Sequence, residues 1–164
     1  MLNKVKEFLK RNIPELAFAA LSVLVGMLSA WLTKDNMQIY EQIKAPPLAP
    51  PAWLFPIAWG ILYILMGIGA GMMFKRKDEK GGYAKGALKL FFIQLTVNFF
   101  WSIIFFNLRS FWLSLVVLVA LLLLVVLMTL RFYKVKPISA YLQIPYILWL
   151  AFATYLNLAI AILN

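Results

Sequence analysis

The chain contains no cysteine and no histidine, and only six of its 164 residues are acidic. The first absence removes disulfides and thiol chemistry. The second removes imidazole bases and, together with the missing thiolates, the usual zinc ligand sets. The six acids, Glu7, Glu15, Asp35, Glu41, Asp78 and Glu79, fall in tails, loops or a helix end, so no buried carboxylate pair or proton relay is expected. Metal catalysis is not expected either, and no metal site or required cofactor is assigned. Charge of both signs makes up just 13% of the chain, whereas 64% is hydrophobic and the mean hydropathy is +0.86, more than a soluble domain of this size can hide in its core. The chain reads as an all-α integral membrane protein. Its net charge of +10 would suggest nucleic acid in a soluble protein, but the basic residues lie between apolar runs as they do in the loops of membrane proteins, and nucleic acid is excluded as a partner.

Apolar runs predict five spans, at 13–32, 53–74, 84–106, 111–133 and 137–163, within one membrane domain covering residues 1–164. The first run follows a basic start but has the length of a span rather than of a signal-peptide core, and is read as a retained helix opened by Pro14 and Glu15. Before the second run stand Pro46, Pro47, Pro50 and Pro51, which lock the backbone and forbid a helix until they are passed. Trp53 then sits at the water end, while Trp59 lies about 1.5 turns deeper, where an interfacial belt no longer explains it. The connection 33–51 is long enough to be a lid, although a passive linker would also serve.

Within the spans, spacing singles out a few residues. Gly67 and Gly71 form a small face for close helix packing. Gln94, Asn98 and Ser102 make an amide and hydroxyl stripe that should face inward, for interhelical hydrogen bonds or for a cavity. The fourth span, nearly all Leu, Val and Ala, reads as a lipid-facing wall. Pro145 is expected to kink the fifth span, whose Trp149, Ala153 and Asn157 then share a face suited to a flat apolar ligand or to a packing seam. Basic residues divide between alternate loops as thirteen against three, which predicts a cytoplasmic amino terminus, a carboxyl terminus outside, and the proline-rich loop on the outer face, in a bacterial cell membrane.

The segments FPIAWGILYILMGIGA around Trp59, LTVNFFWSIIFF in the third span and PYILWLAFATYLN in the fifth resemble the tryptophan-rich sensory protein and translocator protein (TspO/MBR) family, also called the peripheral-type benzodiazepine receptor family. The likeness runs from about Ile39 to Asn157. It implies a five-helix bundle, usually a homodimer, that binds porphyrins such as protoporphyrin IX and isoquinoline or benzodiazepine drugs beneath the first loop. Carried onto this sequence, the family's ligand-binding positions are Tyr40, Pro50, Pro51, Trp59, Asn98, Trp101, Trp149, Phe152, Ala153 and Asn157. Porphyrin is then a ligand rather than a cofactor, and membrane lipid is the other constant neighbour. The animal cholesterol motif is absent, with Leu158 and Ile162 at its places and no basic residue after Tyr155. The fourth span begins one residue early against the animal pattern, which leaves open whether Trp112 lines the pocket.

Three functional classes follow. The first is a porphyrin-binding receptor, sensor or transporter. The second is a light-dependent porphyrin-degrading enzyme whose photochemical residues would be Trp59 and Trp149, and the third a structural or partner-regulating membrane protein.

Overall fold

A backbone surrounded by lipid must satisfy its own hydrogen bonds, and long apolar runs without interior breakers do so as helices. The computed structural model describes residues 6, 7, 10–79 and 81–164, so Lys4 and Lys80 of the basic segments lie outside it. Among the described residues, five helices are long and apolar enough to cross a membrane. They are α1 (Ile13–Thr33), α2 (Leu54–Phe74), α3 (Tyr83–Ser102), α4 (Phe111–Val135) and α5 (Ile144–Leu163). Among the described residues there is no strand.

The helices form a bundle in which α1 lies on α2, α3 on α4 and α4 on α5, while α2 and α5 stand further apart and meet through large side chains, Phe55 and Trp59 against Tyr146 and Trp149. The first contact is made by backbone. Gly67 faces the backbone of Phe18 and Ala19, and Gly71 faces that of Pro14 and Glu15, so that a Cβ at either glycine would collide. The seam widens toward the other end, where the ring of Tyr63 covers Gly26 and a Cβ on Gly60 would meet nothing. At the tight end Glu15 is buried, with its carboxylate 2.6 Å from Lys75 Nζ. The sequence places that acid at an unremarkable helix end; the close approach of Gly71 is what covers it.

The fourth span corrects its reading as a lipid-facing wall. Ser114, Leu118, Leu121, Val125, Met128 and Phe132 recur every three or four residues and are buried, while Val116, Leu123, Leu127 and Leu130 on the opposite face are exposed. One side of α4 is therefore core, packed on α3 and α5. Pro145 also acts differently from expectation. The fifth span is a short helix, Pro137–Tyr141, a break at Leu142 and Gln143, and then α5 with Pro145 in its first turn. Proline lacks a donor and would clash with the carbonyl of Tyr141 in a continuous helix, so it starts a new one instead of bending the old. At its far end α3 loosens into a π turn, Ile103–Asn107, that no proline or glycine announces.

The loop 33–51 folds over the bundle end. A 3-10 turn (Lys34–Asn36) and a short helix (Ile39–Gln42) lead into the prolines, and the loop is fastened to α5 from two sides. Tyr155 Oη donates to the Pro47 carbonyl at 2.9 Å, and Asn164 exchanges hydrogen bonds with the backbone of Lys44 at 2.9 and 3.3 Å. Asn36 and Asn107 join it to the π turn at 3.0 Å. These bonds make it a cover rather than a passive linker.

Candidate ligand cavity

Under the cover, where α1 and α2 have parted, lies a cavity of about 300 Å³. Its lid side is Met37, Tyr40 and Phe55; its walls are Gly26, Ser29, Ala30 and Thr33 of α1, Pro56, Trp59, Gly60 and Tyr63 of α2, Trp101, Ser102, Phe105 and Phe106 of α3 and its π turn, and Ala153, Leu156, Asn157 and Ile160 of α5. Trp59 is central to the aromatic part. Its ring centroid lies 5.6 Å from that of Tyr63, 6.1 Å from Tyr146, 6.4 Å from Trp149 and 6.5 Å from Trp101. Separations of this size are attractive contacts between rings, and they fix Trp59 although it belongs to none of the tight helix seams.

The floor is polar and closed. Tyr146 Oη donates to Gln94 Oε1 at 2.9 Å and accepts from Asn98 Nδ2 at 2.8 Å, while Tyr63 Oη donates to Asn98 Oδ1 at 3.4 Å. Gln94, Asn98 and Tyr146 are almost wholly buried, so the chain meets the cost of amides in a membrane by letting them satisfy one another. Higher up, Trp101 Nε1 donates to Asn157 Oδ1 at 3.3 Å, and Asn157 Nδ2 donates to the Phe111 carbonyl at 3.0 Å. In the lid Tyr40 Oη donates to the Pro50 carbonyl at 3.1 Å, and its ring meets Phe55 edge-on at 5.0 Å. Burial holds the Tyr40 proton above the usual tyrosine range.

Of the ten residues singled out from the sequence, Tyr40, Trp59, Trp101, Ala153 and Asn157 line the cavity. The other five do not. Asn98 sits in the floor network, and the third-span stripe thus divides, with Gln94 and Asn98 bonded in the core and Ser102 in the cavity wall. Trp149 stands behind the wall, 5.9 Å from Phe55 and 6.0 Å from Phe152, its indole N–H buried without a partner. Phe152 lies further out, stacked on Tyr155 at 6.3 Å. Pro50 contributes its carbonyl to Tyr40, and Pro51 is exposed. Trp112 points away from the cavity and is 59% exposed. Sequence reasoning missed the α1 wall. Its signal was there, in Gly26, Ser29 or Ala30, and Thr33 at one helical turn apart, a strip of small residues beside the larger apolar ones.

A profile of the TspO/MBR family matches residues 18–163. The chain belongs to the TspO/MBR family. It is 37% identical over 156 residues to the tryptophan-rich protein TspO of Archaeoglobus fulgidus, covering 93% of this chain and 99% of that one. The human translocator protein is 34% identical over 151 residues, with 88% and 86% covered, and the tryptophan-rich sensory protein of Cereibacter sphaeroides 31% over 125, with 76% of each. Membership and the five apolar helices together make the chain a multi-pass integral membrane protein of the TspO/MBR type. The outward faces of its helices agree, with Leu24, Ile57, Phe100, Leu123 and Leu148 all exposed as only a lipid environment tolerates.

Proposed function

We propose that the cavity binds a flat, largely apolar small molecule, a porphyrin of the protoporphyrin IX type or an isoquinoline or benzodiazepine-like compound, and that binding is the function from which sensing or transport follows. The observation that carries this is the aromatic lining, with Tyr40, Phe55, Trp59, Tyr63, Trp101, Phe105 and Phe106 around one space beneath a fastened cover. Mostly apolar walls with a few placed polar groups are what small-molecule sites have in common. About 300 Å³ is at the small end for such sites, so the drug-like molecules fit within it, whereas a porphyrin extends between α1 and α2, where Met27, Pro56 and Gly60 leave the wall open. The proposal includes the orientation read from the basic loops, with the cover on the outer face, and association of two copies. Protoporphyrin IX titrated into the protein in lipid nanodiscs should quench indole fluorescence saturably, and a Trp59→Phe variant should lose most of that quenching while retaining the ligand within a few-fold. Non-saturable quenching, equal to that of empty nanodiscs, would refute the reading.

A second reading has its own observation. Trp59, Trp101 and Trp149 gather three easily oxidised rings within 6.5 Å of Trp59, which favours light-dependent porphyrin degradation with dioxygen as co-reactant. Illuminated, aerated protein should then consume porphyrin, and a variant lacking both Trp59 and Trp149 should bind without consuming it. Equal rates in the variant would remove the indoles from any such chemistry.

A further inference from the structure

The cavity's polar groups are not all spent within the protein, and those left over point to the chemistry of the ligand. Thr33 Oγ1 donates to the Ser29 carbonyl at 2.9 Å, and Tyr40, Tyr63, Trp101 and Asn157 are hydrogen-bonded as described. Ser29 is different. It lines the cavity on α1 at 3% exposure, and its hydroxyl is buried with no partner. Elsewhere in the spans, hydroxyls turn back onto the carbonyl four residues earlier: Ser22 to Phe18 at 2.9 Å, Thr129 to Val125 and Thr154 to Leu150 at 2.7 Å. Ser29 does not use this route to Val25. A buried hydroxyl without a partner lowers the stability of the folded protein, and a group that costs stability at the wall of a ligand cavity is suited to binding rather than folding.

Among the described residues, the remaining unbonded groups at the wall are the Ser102 hydroxyl, which can donate or accept, and the Trp59 indole N–H, which can only donate, and no carboxylate lines the cavity. The wall therefore has donors to offer and no acidic acceptor. The Ser29 hydroxyl hangs on a single rotatable bond from a residue of the cavity wall. Resting on the ligand-binding reading above, we propose that Ser29 selects ligands bearing a carboxylate or carbonyl oxygen at the edge of an apolar ring system, its O–H donating to that oxygen. Such an oxygen regains inside the membrane the hydrogen bond it gave up in water, and a purely hydrocarbon ligand of the same shape gains nothing from the residue.

The test pairs two proteins with two ligands. Protoporphyrin IX carries propionates; etioporphyrin presents only alkyl groups at the ring edge. Ser29→Ala should weaken protoporphyrin IX about tenfold, the factor lost with one buried hydrogen bond to an acceptor, and change etioporphyrin less than twofold. The ligand-free Ser29→Ala protein should unfold at the same temperature as its parent or higher, since it sheds an unsatisfied group. Ser22→Ala, on the same helix and away from the cavity, should leave both affinities unchanged. Equal losses for the two porphyrins, no loss for either, or a lowered unfolding temperature would each overturn the assignment to Ser29 while leaving the cavity's function standing. A parent protein that binds neither porphyrin would instead overturn the ligand-binding reading and this inference with it.

Discussion

At the scale of single residues the structure separates side chains that shape the cavity from side chains that support it. Ala153 lines the cavity on α5 one turn after Trp149, and its small size is what leaves the space. Ala153→Leu should put a branched side chain there and weaken a flat ligand about tenfold or more, each factor of ten being about 1.4 kcal/mol, with the bundle still folded. An unchanged affinity with a lowered unfolding temperature would make Ala153 part of a packing seam. Tyr146 should behave in the opposite way. Tyr146→Phe keeps the ring that touches Trp59 at 6.1 Å but strands Asn98 Nδ2 and Gln94 Oε1, both buried. The interhelical average of about 0.6 kcal/mol applies when the freed groups find new partners; here they cannot, and the larger cost of unsatisfied groups, about 1–3 kcal/mol, should prevail. Reversible unfolding in mixed micelles would measure that loss, with ligand affinity altered less than threefold because the hydroxyl faces the floor. Spacing left Asn98 between an interhelical bond and a cavity, and only the family resemblance placed it with the ligand, since a periodic stripe tells which face of α3 is polar but not at which depth the cavity ends.

Among the elements, legibility follows how much contrast the sequence carries. Gly67 and Gly71 stood out as a small pair one helical turn apart, and they are where α1 and α2 touch. The α4 run, LVVLVALLLLVVLM, has no contrast, so its buried and exposed faces could be told apart only by seeing what lies against them. The π turn at Ile103–Asn107 was hidden for another reason. It follows from long-range ties, Asn107 donating to the Leu32 carbonyl at 3.1 Å and accepting from Asn36 at 3.0 Å, rather than from any local breaker. The prolines announced a stiff loop but could not say what holds it down. Tyr155 and Asn164 do so from more than a hundred positions away. If this cover governs ligand exchange, Tyr155→Phe should raise the dissociation rate about two- to tenfold, the value of one exposed hydrogen bond of roughly 0.5–1.5 kcal/mol. Stopped-flow recovery of indole fluorescence reads that rate. No change would mean that ligand leaves sideways between α1 and α2, past Gly60, with the cover a fixed roof.

For the whole molecule, the five-helix bundle was legible because length and hydropathy alone define a span, and its polarity is now visible as a difference between two ends. The end opposite the cover carries Arg11, Lys75, Arg76, Lys77, Lys134 and Lys136, and some of these chains lie along aromatic rings, Lys77 over Phe74 at 4.1 Å and Lys134 over Tyr83 at 5.3 Å. Long cations laid over rings at helix ends keep their stems on apolar surface and their charge at the headgroups. The turn that reverses the chain there depends on Gly81 and Gly82, at φ of 105° and 65°. Among the described residues, the cover end has only Lys34, Lys44 and Arg109. Because retention of positive charge on the cytoplasmic side acts on short loops such as these, the basic end should face the cytoplasm. A reporter fused after Asn164 should then be active only outside the cytoplasm, and one inserted between Lys77 and Tyr83 only inside. The reverse pattern would put the cover, and the cavity's open side with it, in the inner leaflet, so that ligand would be drawn from the cytoplasm rather than from the outer half of the membrane. Replacing Arg76 and Lys77 by Gln, with Lys75 kept because it pairs with buried Glu15, should discriminate further: if these charges set the orientation, a fraction of the molecules should invert while the cavity, built more than two turns away along α2 around Trp59, still binds ligand in those that do not.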